Sequence, residues 1–167
     1  EEPYSDFSVG DTGETVRVWT TFGKTTPSEQ IDLDVNSAAT RQLLTEFFEN
    51  FAKHGVTIVR LDAVGYVNKV PGSSFFFVEP EIHEFLDWIT ELANSLGIEL
   101  LPEVHAHHTV QEKLAENGHW IYDFILPYRV LEALFERDST DLVVYLRDRP
   151  AKQFTMLDCH DGVRSRP

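Results

Sequence analysis

Three acidic residues stand where short apolar runs end. Asp62 follows Val56-Thr57-Ile58-Val59-Arg60-Leu61, Glu103 follows Ile98-Glu99-Leu100-Leu101-Pro102, and Asp161 lies just beyond Gln153-Phe154-Thr155-Met156-Leu157-Asp158. Each has a polar companion: Arg60 for Asp62, His105 for Glu103, His160 for Asp161. If the runs are neighbouring strands, Asp62 and Glu103 face one another across a bound molecule. Two carboxyls about 5 to 5.5 Å apart can then carry out retaining glycosyl transfer, one attacking the anomeric carbon and the other protonating the departing oxygen. The attacking group must stay ionised, which the nearby Arg60 guanidinium favours. The acid must hold its proton, and Glu103 sits behind Leu100, Leu101 and Pro102, where partial loss of water favours that form.

Each of these residues alone has a plainer reading. An Asp at a strand end often caps the next turn or helix, and an Asp-Gly pair such as Asp161-Gly162 is commonly a simple turn. What points to chemistry is the recurrence of acid and companion at three ends.

The elements that must position them follow from periodicity. Four near-continuous apolar runs, led by Gly55, Gly97, Gly118 and Pro150, read as strands buried on both faces, the habit of parallel sheets. The third is Trp120-Ile121-Tyr122-Asp123-Phe124-Ile125-Leu126. Between them the period turns helical. Ile82, Phe85, Leu86, Ile89, Leu92 and Leu96 define one amphipathic helix, with Pro80 in its first turn and Gly97 after its end. A second helix is expected to start at Thr109 with Glu112 completing a capping box, and to stop near Gly118. A third is expected from Tyr128 to Glu136, burying Val130, Leu131, Leu134 and Phe135. Leu43, Leu44, Phe47, Phe48 and Phe51 mark a helix from Ala38 to Lys53, and Asp141 to Arg147 forms another stretch. The alternation Thr15-Val16-Arg17-Val18-Trp19 predicts a little β-structure near the N-terminus.

Strand and helix thus alternate as βαβ crossovers, an α/β fold with a parallel sheet. Acids at successive strand ends favour a (β/α)₈ TIM barrel, whose catalytic groups sit at the C-terminal ends of its strands. A full barrel needs about 200 residues or more, so 167 residues with four strands read as a partial barrel, an internal piece of a larger one. Residues 37–167 form that piece and residues 1–36 precede it.

Composition narrows the function classes. With 42% hydrophobic and 25% charged residues the chain is globular. Its formal charge of −14 opposes phosphate backbones and anionic lipid, so neither nucleic acid nor a membrane surface is the expected partner. No apolar run approaches the roughly 20 residues of a membrane span. The single cysteine, Cys159, excludes an internal disulfide and fits a reducing, cytoplasmic setting.

Arg60-Leu61-Asp62-Ala63-Val64-Gly65-Tyr66, Leu101-Pro102-Glu103-Val104-His105 and Leu157-Asp158-Cys159-His160-Asp161-Gly162 resemble the strand-4, strand-5 and strand-7 motifs of the α-amylase superfamily of glycosidases. Within it they look most like the sucrose phosphorylases. Gln30-Ile31-Asp32-Leu33-Asp34 resembles the short motif this superfamily carries between an inserted domain B and the helix after barrel strand 3. The resemblance runs from about Val18 to Gly162. It implies that Asp62 is the nucleophile, Glu103 the general acid/base and Asp161 the transition-state stabiliser. His160 would hydrogen-bond the same sugar ring, and Arg60 would orient Asp62. His105 and Tyr66 would lie towards the acceptor, with Gln30 and Phe22 beside them. The implied reaction passes glucose from sucrose or a related α-glucoside to inorganic phosphate with retention, and needs no metal or organic cofactor. It also implies that the 167 residues alone are inactive. Cys159 departs from the pattern, standing where the phosphorylases carry Thr. The loop Gly23-Lys24-Thr25-Thr26-Pro27-Ser28-Glu29 is longer than the pattern before Gln30.

Two other readings use the same residues. Glu103, His105, His107, His108 and His160 could be ligands of a metal-dependent hydrolase, although histidines clustered on a loop more often face solvent or sugar than ligate. A non-catalytic carbohydrate-binding remnant could use Trp19, Trp88 and Trp120 as platforms. Trp88 on an apolar helix face and Trp120 at a strand start fit core packing better, as does the run Phe75-Phe76-Phe77.

Overall fold

The parallel pairing expected from the apolar runs is present. The structure is a computed structural model that describes residues 3–23, 30–72, 74–150 and 152–157. In chain order its elements are β1 (Tyr4–Val9), β2 (Glu14–Trp19), α1 (Ala38–Lys53), β3 (Ile58–Leu61), α2 (Glu81–Ser95), β4 (Glu99–Pro102), α3 (His108–Glu116), β5 (Ile121–Tyr122), α4 (Leu126–Glu136), α5 (Thr140–Asp148) and β6 (Gln153–Phe154). They divide into two units, Glu1–Gly55 with Gly65–Leu96, and Val56–Val64 with Gly97–Pro167.

In the first unit the alternating segment pairs as one strand of an antiparallel hairpin, in register from Tyr4↔Trp19 to Val9↔Glu14. The apolar stripe of α2 is its anchor: Ile82, Phe85, Leu86, Ile89 and Ala93 are all buried. At roughly 1.5–3 kcal/mol for each large side chain fully withdrawn from water, this stripe is a main source of the unit's stability. Pro80 stands one position before the helix rather than in its first turn, where its carbonyl accepts the His83 and Glu84 N–H groups. Phe75 packs on Trp19 with ring centres 5.5 Å apart, and Trp88 lies between Phe85 and the Arg41 guanidinium. These aromatics are packing groups.

In the second unit β3 and β4 run parallel with Arg60 opposite Leu101 and Leu61 opposite Pro102. β5 and β6 run parallel with Tyr122 opposite Phe154. The Trp120 N–H donates to the Leu100 carbonyl (3.2 Å), tying β5 to β4. The unit is mixed α/β, as alternation predicted. Trp120 is packed too, its indole N–H on Glu99 and its ring edge on Phe154.

Three expectations need correction. The strands are shorter than the apolar runs: β5 stops at Tyr122 because Asp123 Oδ1 accepts the Leu126 N–H (2.9 Å) and starts α4 there, two residues before Tyr128. The capping box at Thr109 does not form. α3 begins at His108 with no side-chain cap, and the Thr109 hydroxyl is engaged by His107 Nδ1 (3.1 Å). The apolar face of α4 is not buried as a whole: Leu131, Leu134 and Phe135 are exposed, Phe135 by 83%, and only Leu126 is buried. Among the described residues, α5 is the helix packed on α4, and one helical neighbour cannot cover a full stripe.

Candidate active site

The register of β3 and β4 places the two acids together. Leu61 and Pro102 are partners, so Asp62 and Glu103 leave their strands at the same level. The Glu103 N–H donates to the Leu61 carbonyl (2.9 Å), extending the ladder one residue past Pro102, whose own nitrogen carries no hydrogen. Arg60 and Asp62, two residues apart, share one side of the strand. Arg60 Nη1 lies 2.5 Å from Asp62 Oδ1 and Nη2 lies 3.9 Å from Glu103 Oε2, so one guanidinium addresses both acids. Burial disfavours the Arg60 charge, but Tyr122 and Asp62 favour it and hold the group above its ordinary value.

A second tether fixes Glu103. Its Oε2 accepts the Ala63 N–H (2.8 Å), the residue directly after Asp62. Ala63 takes the left-handed conformation, φ 45°, which costs an L-residue about 1–2 kcal/mol. That turn aims the backbone donor at one acid while Asp62 is presented beside it. The two acids differ in exposure: the Asp62 side chain is 74% exposed and the Glu103 side chain 15%. Ala63→Gly should remove the left-handed penalty while adding glycine's unfolded-state entropy. We expect stability to rise by about 0.5–1 kcal/mol in denaturant titration, and a loss of similar size would show that Ala63 is unstrained.

His105 lies in the same unit, its imidazole stacked on the Phe124 ring with centres 4.3 Å apart and planes 12° apart. Tyr122 joins this group, its ring centre 5.8 Å from the Arg60 guanidinium carbon and 5.5 Å from Phe124. Tyr122, Phe124 and the Ala63 N–H were not foreseen. The first two carried a signal, since they flank Asp123 at the end of the third apolar run. The third depends on backbone conformation alone.

Phe22, Gln30 and Tyr66 belong to the first unit. Phe22 is 56% exposed and meets Tyr66 edge-on at 5.3 Å, and Tyr66 packs on Phe76 at 4.9 Å. Gly65 permits this, because a Cβ there would stand 2.6 Å from a Phe76 ring carbon. Asp32 organises the pair's surroundings. Its Oδ2 accepts from the Thr21 hydroxyl (2.5 Å) and lies 2.9 Å from the buried Lys69 ammonium, which also bonds the Tyr66 carbonyl. Gln30 is exposed. Asp161, His160 and Cys159 lie outside the described residues, as does the loop from Lys24 to Glu29. Among the described residues no three His, Cys, Asp or Glu side chains are grouped as metal ligands, and no helix is long and apolar enough to cross a membrane.

No protein-family model matches the chain. It is 61% identical over 165 residues to a sucrose 6(F)-phosphate phosphorylase of Thermoanaerobacterium thermosaccharolyticum, covering 99% of this chain and 34% of that protein. It is 42% identical over 161 residues to a sucrose phosphorylase of Streptococcus mutans, covering 96% of this chain and 32% of that protein. Among solved structures, the crystal structure of sucrose 6F-phosphate phosphorylase from Thermoanaerobacter thermosaccharolyticum superposes with a TM-score of 0.90 over 99% of this chain and 34% of that chain. The chain therefore spans about a third of the length of the curated relatives it matches.

Proposed function

We propose that this chain, which belongs by homology to the sucrose phosphorylase-like group, forms the central third of a cytoplasmic enzyme that transfers an α-glucosyl unit to inorganic phosphate with retention. In this reading β3 to β6 are strands 4 to 7 of a (β/α)₈ barrel of the α-amylase type, and residues 1–36 are the end of an inserted domain B. The observation that carries it is the placement of Asp62 and Glu103 on paired parallel strands under one arginine.

The chemistry follows from which oxygens are occupied. Asp62 Oδ1 is held by Arg60, leaving Oδ2 to attack the anomeric carbon. Glu103 Oε2 is held by the Ala63 N–H, leaving Oε1 to carry the proton. As the Asp62–carbon bond forms and the glycosidic bond breaks, the proton passes from Glu103 to the departing oxygen. In the second half a phosphate oxygen attacks the same carbon, any proton it loses passes to Glu103, and the ester bond to Asp62 breaks. Two inversions give α-glucose 1-phosphate. Asp161 and His160 hold the sugar hydroxyls; His105, Tyr66, Gln30 and Phe22 serve the acceptor side. The reaction uses no cofactor.

The leaving group is sucrose's fructose or its 6-phosphate, following the two relatives. The test is to incubate the full-length protein with sucrose and with sucrose 6F-phosphate, each with and without phosphate. Glucose 1-phosphate formed only with phosphate is the expected result, and the better substrate names the specificity. Free glucose at equal rates in both conditions would make the enzyme a hydrolase. The 167-residue chain alone should release no glucose.

A further inference from the structure

The last residue of β5, Tyr122, and Phe124 just beyond it are aromatics that touch the two polar groups flanking the acids. Phe124 follows Tyr122 by two residues, and their rings lie 5.5 Å apart. Phe154, the register partner of Tyr122, backs that ring at 6.2 Å. Above them Phe124 stacks flat on His105, and Tyr122 faces Arg60. The Arg60 Nε is buried and makes no hydrogen bond. Its guanidinium is therefore oriented by its Nη atoms and by its aromatic neighbour, a cation–π arrangement. Strands two apart in a parallel barrel contribute side chains to the same interior layer, which is how β5 reaches Arg60 on β3 across β4.

We propose that Tyr122 and Phe124 form an aromatic ledge that positions Arg60 on the nucleophile side and His105 on the acceptor side. This rests on the roles given above to Asp62 and His105. The ledge touches no reacting atom, so both are positioning residues and the two halves separate by reaction step. Loss of the Tyr122 ring lets Arg60 turn from Asp62 and slows glucosyl transfer to the enzyme. Loss of the Phe124 ring frees the imidazole and changes what accepts the glucosyl unit.

The test uses the full-length protein. Tyr122→Leu should lower kcat roughly 10- to 100-fold with KM changed less than about threefold, and Tyr122→Phe, which keeps the ring, less than about fivefold. In an Arg60→Lys background Tyr122→Leu should cost less than about twofold more, because residues that act through one another are not additive. Phe124→Leu should shift the ratio of free glucose to glucose 1-phosphate towards water about fivefold or more, and should do nothing in a His105→Ala background. Additive effects in either cycle overturn the proposal. If Tyr122→Leu fails to fold, the cycle runs with Tyr122→Met, which also removes the ring and whose loss must likewise vanish beside Arg60→Lys. A wild-type protein that makes no glucose 1-phosphate overturns the phosphorylase reading alone. The ledge is then judged by a crystal structure of the Tyr122 variant, and Arg60 still paired to Asp62 there overturns it.

Discussion

Asp62→Asn in the full-length protein is expected to lower kcat by roughly 10⁴- to 10⁶-fold, about 5.5–8 kcal/mol of transition-state stabilisation. An amide cannot open the covalent route, because its nitrogen and oxygen are poor nucleophiles at the anomeric carbon and the resulting adduct would not collapse to product. It also loses the charge that Arg60 holds at 2.5 Å. The fold should not notice: the side chain is 74% exposed, and a near-isosteric change at such a site moves stability by about 0.5 kcal/mol or less. Circular dichroism and thermal melting should therefore match wild type while turnover vanishes. A better leaving group separates the two acids. Glucosyl fluoride needs no proton on departure, so it should restore the first step in Glu103→Gln and leave Asp62→Asn inactive. A loss below about tenfold in Asp62→Asn would remove the residue from the nucleophile's role.

Periodicity and residue type revealed the elements far better than the burial of their faces. α1 runs from Ala38 to Lys53 as the spacing of Leu43, Leu44, Phe47, Phe48 and Phe51 predicts, because five apolar residues at helical steps leave one choice of period. The order of strands and helices was legible for the same reason. What was hidden depends on neighbours. Leu134 and Phe135 lie on a helical stripe, yet burial of a stripe needs a second surface, and none among the described residues covers them. The site was half legible. Asp62, Glu103 and Arg60 stood out by position, whereas the Ala63 N–H reaches Glu103 only because the backbone turns left-handed. Asp123 is the sharpest case. It follows an apolar strand as Asp62 does, but its side chain is fully buried. Position in the sequence does not separate an exposed acid at a strand end from one buried among hydrogen-bond donors.

That second role carries the largest expected effect on stability. Asp123 accepts the Leu126 N–H at 2.9 Å, the Tyr145 hydroxyl, and Arg149 Nη1 at 3.4 Å. It starts α4, ties α5 to the end of β5, and its side chain is wholly withdrawn from water. Asp123→Ala leaves a helix-terminal N–H and a half-buried hydroxyl without an acceptor. Breaking a buried pair costs about 3–5 kcal/mol. The lower end is expected here, because Arg149 is about a third exposed and keeps Thr155 at 3.1 Å. Asp123→Asn retains an acceptor oxygen and should cost about 1–2 kcal/mol. Urea titration of the full-length protein decides between these, and a loss under 1 kcal/mol for the alanine variant would mean the carboxylate holds nothing. Tyr145 supplies an independent reading. Burial first, then its bond to Asp123, raises it from 10.0 to about 12. Between roughly pH 10 and 12 the unfolded chain gives up this proton and the folded one keeps it, so stability is complete below pH 10 and falls as pH rises towards 12. In Asp123→Ala the hydrogen bond is gone and Tyr145 drops towards its ordinary value, so the alkaline fall should become shallower even though the protein is less stable at neutral pH.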